Sequence, residues 1–119
     1  MKFQNSQSFS IAPGVQRITG SASSGSALTI IPGRDPIFSV TIQQLIISWT
    51  DVTTPGQINI SSQPADPNPF IVYQNSGGDT IVVPFYSMLY DLGTYGLRAA
   101  NNAVGGVYTV TAFYTQILP

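Results

Sequence analysis

The sequence contains no cysteine, no histidine and no glutamate among its 119 residues. Without cysteine, disulfides and thiolate metal sites are excluded. Without histidine, serine–histidine and cysteine–histidine nucleophiles are excluded as well. The acidic side chains are five scattered aspartates, which fit turn residues that bond their own backbone better than the paired carboxylates of a glycosidase. We therefore expect a protein that is not an enzyme and that uses no cofactor.

Charge is also scarce, at 8% of the residues against about a quarter in typical soluble domains. A net charge of −1 gives neither the clustered basic residues of a nucleic-acid binder nor a polybasic membrane anchor. No stretch approaches the roughly 18 apolar residues of a membrane span, and the start lacks the apolar run of a signal peptide. We expect neither nucleic acid nor a membrane as partner, and synthesis in the cytoplasm.

The abundant neutral polar residues must supply the solubility that charge does not. Such a low-charge β chain, rich in Ser, Thr and Gln, is typical of shells and fibres, in which neighbouring molecules cover much of the surface. We therefore expect a homo-oligomer. A monomer with an unusually neutral surface is the alternative.

The strongest secondary-structure signal is the stretch from Val107 to Ile117, which has no Gly or Pro and is rich in β-branched and aromatic residues. At about 3.3 Å per residue it would span about 36 Å as a strand. Its even positions, from Tyr108 to Tyr114, are the more apolar ones. The odd positions mix threonines with apolar residues such as Phe113, so we expect something to cover that second face.

Elsewhere, turn signals recur about every 8–12 residues, which is typical of an all-β sandwich or small barrel. We expect eight to nine strands, no significant helix, and a single jelly-roll-like β-sandwich domain over residues 9–119 after a flexible arm at 1–8. In the segment from Ile37 to Thr50 the apolar alternation slips by one residue at Gln43–Gln44. That slip predicts a β-bulge, or a bend where the strand changes sheet.

Four local features mark where strands should end. Small residues predict a loop over 20–26, and Pro55–Gly56 fits a type II turn. Residues 75–79 have the composition of a hairpin turn. Pro84 should end the strand that follows this turn, because proline donates no ladder hydrogen bond.

The least regular apolar stretch, over residues 85–95, is the main candidate for a contact surface, because tyrosines combine large apolar area with a polar end. The interface candidates are Phe85, Tyr86, Met88, Tyr90, Tyr95 and Phe113. The alternative for the tyrosines is that they cover the open end of the sandwich.

Two other features have a functional and a structural interpretation. Trp49 offers a ring on which a sugar would stack, but its phase with Leu45 and Ile47 favours the core. Asp66 and Asp79 supply the oxygen ligands that calcium prefers, but without a regular Asp-x-Asp pattern the turn interpretation is favoured.

The ending from Gly96 to Tyr114, with Gly105–Gly106 before the last strand, resembles small structural proteins of tailed bacteriophages, the nearest group being the capsid cement or decoration proteins. The strand count resembles viral jelly rolls and trimeric tumour-necrosis-factor-like folds. This resemblance implies a virion protein that clamps major capsid subunits, commonly as a trimer. A carbohydrate- or receptor-binding module, such as a fibre tip or a lectin-like domain, is the alternative function.

Overall fold

A computed structural model describes residues 14–33, 39–63, 66–91 and 95–117 of the chain. Within these ranges the backbone forms eight strands and no helix. The strands are β1 (Val15–Ser23), β2 (Leu28–Ile31), β3 (Ser39–Val52), β4 (Gln57–Ser61), β5 (Phe70–Tyr73), β6 (Gly77–Asp91), β7 (Leu97–Asn101) and β8 (Val107–Ile117). The arm predicted at 1–8 lies outside the described residues.

The strands form two four-stranded antiparallel sheets. The long sheet has the order β1-β8-β3-β6, and the short sheet has the order β2-β7-β4-β5. The pairs are nested, because β1 pairs with β8, β2 with β7, β3 with β6 and β4 with β5. A long hairpin rolled up on itself gives this pattern, which is that of a jelly roll. The predicted all-β sandwich is confirmed.

The core lies between the two sheets, and β3 and β8 contribute most of its long-sheet wall. β8 runs between β1 and β3, and its even positions from Tyr108 to Tyr114 are buried, as the alternation predicted. The short sheet faces them with small and branched side chains, among them Ile30, Ile58, Ile60, Leu97 and Ala99. Each large side chain buried in this way contributes about 1.5–3 kcal/mol to folding.

The bulge predicted in β3 is present. Across β8, Ile42 pairs with Tyr114 and Gln44 pairs with Phe113, so that Gln43 is an extra residue without a partner in this register. Because the extra residue absorbs the slip in alternation, the apolar sets before and after it face the same core. The buried members of both sets are Val40, Ile42, Leu45, Ile47 and Trp49.

The loop predicted over 20–26 is wrong in its first half, because β1 continues to residue 23. The weak local propensity is overridden by the ladder that β1 forms with β8. Hydrogen bonds between side-chain hydroxyls reinforce this ladder. Thr19 Oγ1 lies 2.9 Å from Thr111 Oγ1, and Ser21 Oγ lies 2.7 Å from Thr109 Oγ1. A small-residue segment is therefore a regular edge strand.

The hairpin predicted at residues 75–79 is also wrong. β5 before this segment pairs with β4 in the short sheet, whereas β6 after it pairs with β3 in the long sheet. The segment is thus a crossing between sheets. Asn75 stabilises it, because its Oδ1 accepts from Trp49 Nε1 at 3.0 Å and its Nδ2 donates to Asp79 Oδ2 at 3.2 Å.

Pro84 does not end its strand either, since β6 continues through it to Asp91. β6 is the last strand in the order of the long sheet. A proline is tolerated on an edge strand, because an N–H on the open side has no ladder partner to lose.

The turn at Pro55–Gly56 is not of type II, because Gly56 lacks the positive φ that this type requires. Close packing needs the glycine instead, since a Cβ there would lie 2.6 Å from the Ala103 amide nitrogen. The segment pairs with the turn before β8. Val104 N–H donates to Thr54 O at 3.1 Å, and Val104 O accepts from Thr53 N–H at 2.8 Å.

Gly106 completes this junction between the end of β3 and the start of β8. Its φ is +73°, and a Cβ at this position would overlap the Thr50 carbonyl oxygen. Gly77, with φ +83°, has no atom within 4 Å of the same position. An alanine at Gly77 would therefore suffer backbone strain alone, whereas an alanine at Gly106 would suffer both strain and steric overlap.

We expect Gly106→Ala to lower the free energy of unfolding by more than about 3 kcal/mol, because it adds a clash to left-handed strain. Gly77→Ala should cost only the strain, about 1–2 kcal/mol. Urea unfolding of both variants measures the difference. Equal losses would show that the junction between β3 and β8 is not tightly packed.

Among the side chains that the structure describes, Tyr108 is the largest that is fully buried. Its hydroxyl donates to Ser26 O at 2.6 Å, which ties β8 to the turn between β1 and β2. Burial disfavours the phenolate and raises the pKa of Tyr108 from 10.0 to about 12. The folded protein therefore keeps this proton at a pH where the unfolded chain has lost it.

We predict that Tyr108 stabilises the fold fully below pH 10.0 and loses this contribution as pH rises toward about 12. Tyr108→Phe should cost about 1 kcal/mol at neutral pH, because Ser26 O loses its donor, and should flatten the alkaline decline. Urea unfolding at neutral pH and within that alkaline window tests both effects. An unchanged decline in the variant would rule out this role for Tyr108.

Candidate functional site

The predicted interface residues do not form one surface. Phe113 lies on the outer side of β8 in the long sheet, between Arg17 of β1 and Gln44 of β3. Tyr95 lies before β7 and stacks under Arg98 of the short sheet. The other candidates lie in β6, where only the backbone of residues 85–91 is described: Phe85, Tyr86, Met88 and Tyr90. For all six residues the interface role stays a prediction.

The outer side of the long sheet is the larger candidate surface, and we call it the long-sheet face. It consists of the side chains that alternate with the buried ones on the four strands. Its described members are Val15, Arg17, Thr19, Ser21 and Ser23 of β1, Thr41, Gln44, Ile46, Ser48 and Thr50 of β3, Thr80, Val82 and Pro84 of β6, and Val107, Thr109, Thr111, Phe113 and Thr115 of β8.

The long-sheet face is nearly free of charge, and some of its hydroxyls bond each other. Arg17 is the one charged side chain among its described members. The hydroxyl pairs between β1 and β8 bond each other, so they need less from water than isolated hydroxyls would. Val82 is 58% exposed and lies opposite Ile46. Among the described strands, none lies over this face.

The outer side of the short sheet forms the second candidate surface, a polar groove that we call the short-sheet groove. It consists of two adjoining cavities of about 230 and about 120 Å³, which share Asn59 and Ala100. The larger cavity is lined by Asn59, Ser61, Asp66, Pro69, Tyr95, Arg98 and Ala100. The smaller one is lined by Gln57, Asn59, Ala100, Asn101 and Asn102.

A hydrogen-bond network fixes the floor of the smaller cavity. Asn101 Nδ2 donates to Gln57 O at 2.9 Å and to Gln74 Oε1 at 2.6 Å, and its Oδ1 accepts from Gly25 N–H at 2.8 Å. Asn102 Oδ1 accepts from Gln57 N–H at 2.8 Å. Gln74 is only 7% exposed and its Nε2 has no hydrogen-bond partner, an arrangement that costs stability.

Of the described residues that line the groove, the two charged ones both lie in the larger cavity. The Arg98 guanidinium lies 5.3 Å from the centroid of the Tyr95 ring, a cation–π contact that orients it. Asp66 Oδ1 accepts from the Asn68 backbone N–H at 2.9 Å, which holds this carboxylate at the rim. Both side chains are thus held in place by neighbours before any ligand arrives.

Trp49 lies in the core, and Asp66 and Asp79 each bond backbone close to them in sequence. Trp49 is 3% exposed, so the core interpretation is confirmed. Asp66 bonds the backbone of its own turn, and Asp79 Oδ1 accepts from Thr80 N–H at 2.8 Å, as predicted for turn residues. Among the described residues, no group of three acidic, His or Cys side chains converges, and none forms a helix suited to crossing a membrane.

No protein-family model matches this chain, and no curated protein is significantly similar to it. The surfaces of this molecule therefore carry the functional argument.

Sequence reasoning missed the short-sheet groove, although part of its signal was present. The alternation in β4 places Gln57, Asn59 and Ser61 on the side opposite the inward isoleucines, so three polar side chains share one face. The alternation does not show that β4 pairs with β7, which places Arg98 beside Ser61. It also does not show that Asp66 and Pro69 line the same cavity as these side chains.

We predict that Asn101→Ala will lower the free energy of unfolding by about 2–3 kcal/mol, because three hydrogen bonds are lost and Gln74 is left buried without its donor. Asn102→Ala, which removes a single bond to Gln57, should cost about 1 kcal/mol. Urea unfolding compares these neighbouring variants directly. Similar losses in both would mean that Asn101 does not hold the floor of the groove.

Proposed function

We propose that the protein is a non-enzymatic structural component of a virion, of the capsid cement or decoration type, which assembles through its long-sheet face. In this proposal the chain is a homo-oligomer, with a trimer favoured, and its other partner is the major capsid protein. The observation that carries the proposal is the broad long-sheet face, which has one charged side chain among its described members and which none of the described strands covers. The resemblance of the C-terminal part of the sequence to phage cement proteins supports the same role.

The size of the long-sheet face is adequate for a specific contact. The four strands have 9, 14, 15 and 11 residues, which at about 3.3 Å per residue and about 4.8 Å between strands offer about 780 Å². Specific protein interfaces bury about 800 Å² on each partner. A neighbour covering this face would therefore bury nearly the area of a standard interface.

The charge of the face favours another copy of the same chain as the neighbour. Identical copies carry identical charges, so a face rich in one sign would repel its own copy. With Arg17 as the one charged side chain among its described members, the long-sheet face avoids this repulsion. Exposed Val82 and its neighbour Ile46 supply apolar area that contact would remove from water.

The jelly-roll topology is compatible with the virion role, since this fold is common in viral capsid proteins. It also occurs in lectins, so the fold alone selects no function. The scarcity of charge supports a position inside an assembly, in which neighbouring molecules cover surface that a free monomer would have to keep solvated.

We predict that Val82→Lys will raise the dissociation constant of the oligomer at least about tenfold, because it introduces a desolvated charge that each copy repeats. Val104→Lys is the matched control, because Val104 is 56% exposed, close to the 58% of Val82, but lies in the turn before β8. Sedimentation velocity over a range of concentrations measures both. Equal effects of the two changes, or none in either, would contradict an interface on the long-sheet face.

The virion role has a separate test. Mass spectrometry of purified phage particles should find the chain in many copies per particle, bound to the shell. Absence of the chain from intact particles would contradict the cement role even if the purified protein forms oligomers.

A further inference from the structure

We infer that the short-sheet groove binds a neutral saccharide, with hydroxyl groups of a pyranose held by the polar side chains of β4, β7 and the loop before β5. This inference does not rest on the proposed virion role. The groove lies on the opposite side of the sandwich from the long-sheet face. Both surfaces can therefore be occupied at once, and each can be tested alone.

The shape of the groove suits a small ring rather than an extended chain. Its two cavities meet at Asn59 and Ala100. Because Ala100 ends at its Cβ, it leaves the floor open for a ligand to approach the sheet. Together the two cavities, of about 230 and about 120 Å³, lie just above the lower limit of small-ligand pockets, roughly 300 Å³.

The hydrogen-bonding groups of the groove complement a hydroxyl rather than a simple ion. A guanidinium such as Arg98 only donates, an ionised carboxylate such as Asp66 only accepts, and an amide such as that of Asn59 does both. A sugar hydroxyl donates and accepts, so neighbouring hydroxyls on one ring can satisfy groups of all three kinds. Both charged groups line the same cavity.

An exposed aromatic ring borders the groove and offers the apolar contact that sugars need. Tyr73 is 74% exposed and lies directly opposite Gln57 across β4 and β5. A large aromatic side chain left in water beside a polar groove is more informative than a scattered surface residue. The C–H face of a pyranose would cover this ring while its hydroxyls reach the amides.

Charge argues against an anion as the natural occupant. Asp66 shares the larger cavity with Arg98, so a phosphate or carboxylate drawn to the guanidinium would also meet a carboxylate. A nucleic acid would need a cluster of basic groups, and among the described residues that line the groove Arg98 is the one basic side chain. A neutral ligand avoids this conflict.

The test is a titration of the isotope-labelled full chain with methyl glycosides of glucose, galactose, mannose and N-acetylglucosamine, followed by two-dimensional nuclear magnetic resonance. At millimolar concentrations at least one glycoside should shift the side-chain amide signals of Asn59 and Asn102 and the backbone signals around Arg98. Signals of the long-sheet face should not move.

Two matched pairs of variants locate the site. Asp66→Asn and Arg98→Gln should each weaken binding at least fivefold, because each removes a charge-assisted hydrogen bond to a hydroxyl. Asp79→Asn and Arg17→Gln make the same chemical changes outside the groove and should leave the affinity unchanged. Unfolding measurements on all four variants separate lost binding from lost structure.

Three results would overturn the inference. The first is the absence of any shift with all four glycosides. The second is a set of shifts outside the groove, or shifts that all four variants retain equally. The third is equal or tighter binding of inorganic sulfate at the same residues, which would make the groove an anion site centred on Arg98. None of these results bears on the oligomeric state, so they leave the test of the long-sheet face independent.

Discussion

The pairing of β8 between β1 and β3 is the interaction on which the rest of the structure depends. The ladders on its two sides fix the alternation of this strand, which sends Tyr108, Val110 and Ala112 into the core and Thr109, Thr111 and Phe113 to the outside. The hydroxyl of Tyr108 reaches the turn between β1 and β2. The glycines before β8 close the chain onto the end of β3. β8 therefore contributes one side to the core and the other side to the long-sheet face.

The sequence predicts what local alternation controls. The bulge at Gln43 follows from a slip in a period of two, because the core must receive the apolar residues before and after it. The bounds of β4 and β8 follow in the same way from runs of strand-forming residues between turn residues. These features need no knowledge of which strand lies beside which.

What the sequence does not predict depends on pairing partners far along the chain. Residues 75–79 have hairpin chemistry, yet Asn75 uses its side chain to bond Trp49 while the flanking strands enter different sheets. Pro84 is compatible with β6 because β6 is an edge strand, which pairs with β3 on one side only. The short-sheet groove needs Arg98, Asn59 and Asp66 from three separate segments, so no window of sequence contains it.

The two outer faces divide the surface by chemistry. The long-sheet face joins two pairs of hydroxyls between β1 and β8, carries one charge among its described members and exposes apolar side chains, which suits contact with a copy of itself. The short-sheet groove is concave, carries both signs of charge and is bordered by an exposed tyrosine, which suits a small polar ligand. Although charged residues are scarce in this chain, a cation, a carboxylate and several amides line the short-sheet groove.

Hydroxyl-radical footprinting at increasing protein concentration tests most directly which face another copy covers. The account predicts that oxidation of Phe113 on the long-sheet face falls as the oligomer forms, while oxidation of Tyr73 beside the groove stays constant. Constant oxidation of Phe113 with falling oxidation of Tyr73 would place the contact on the short sheet. That result would contradict the account.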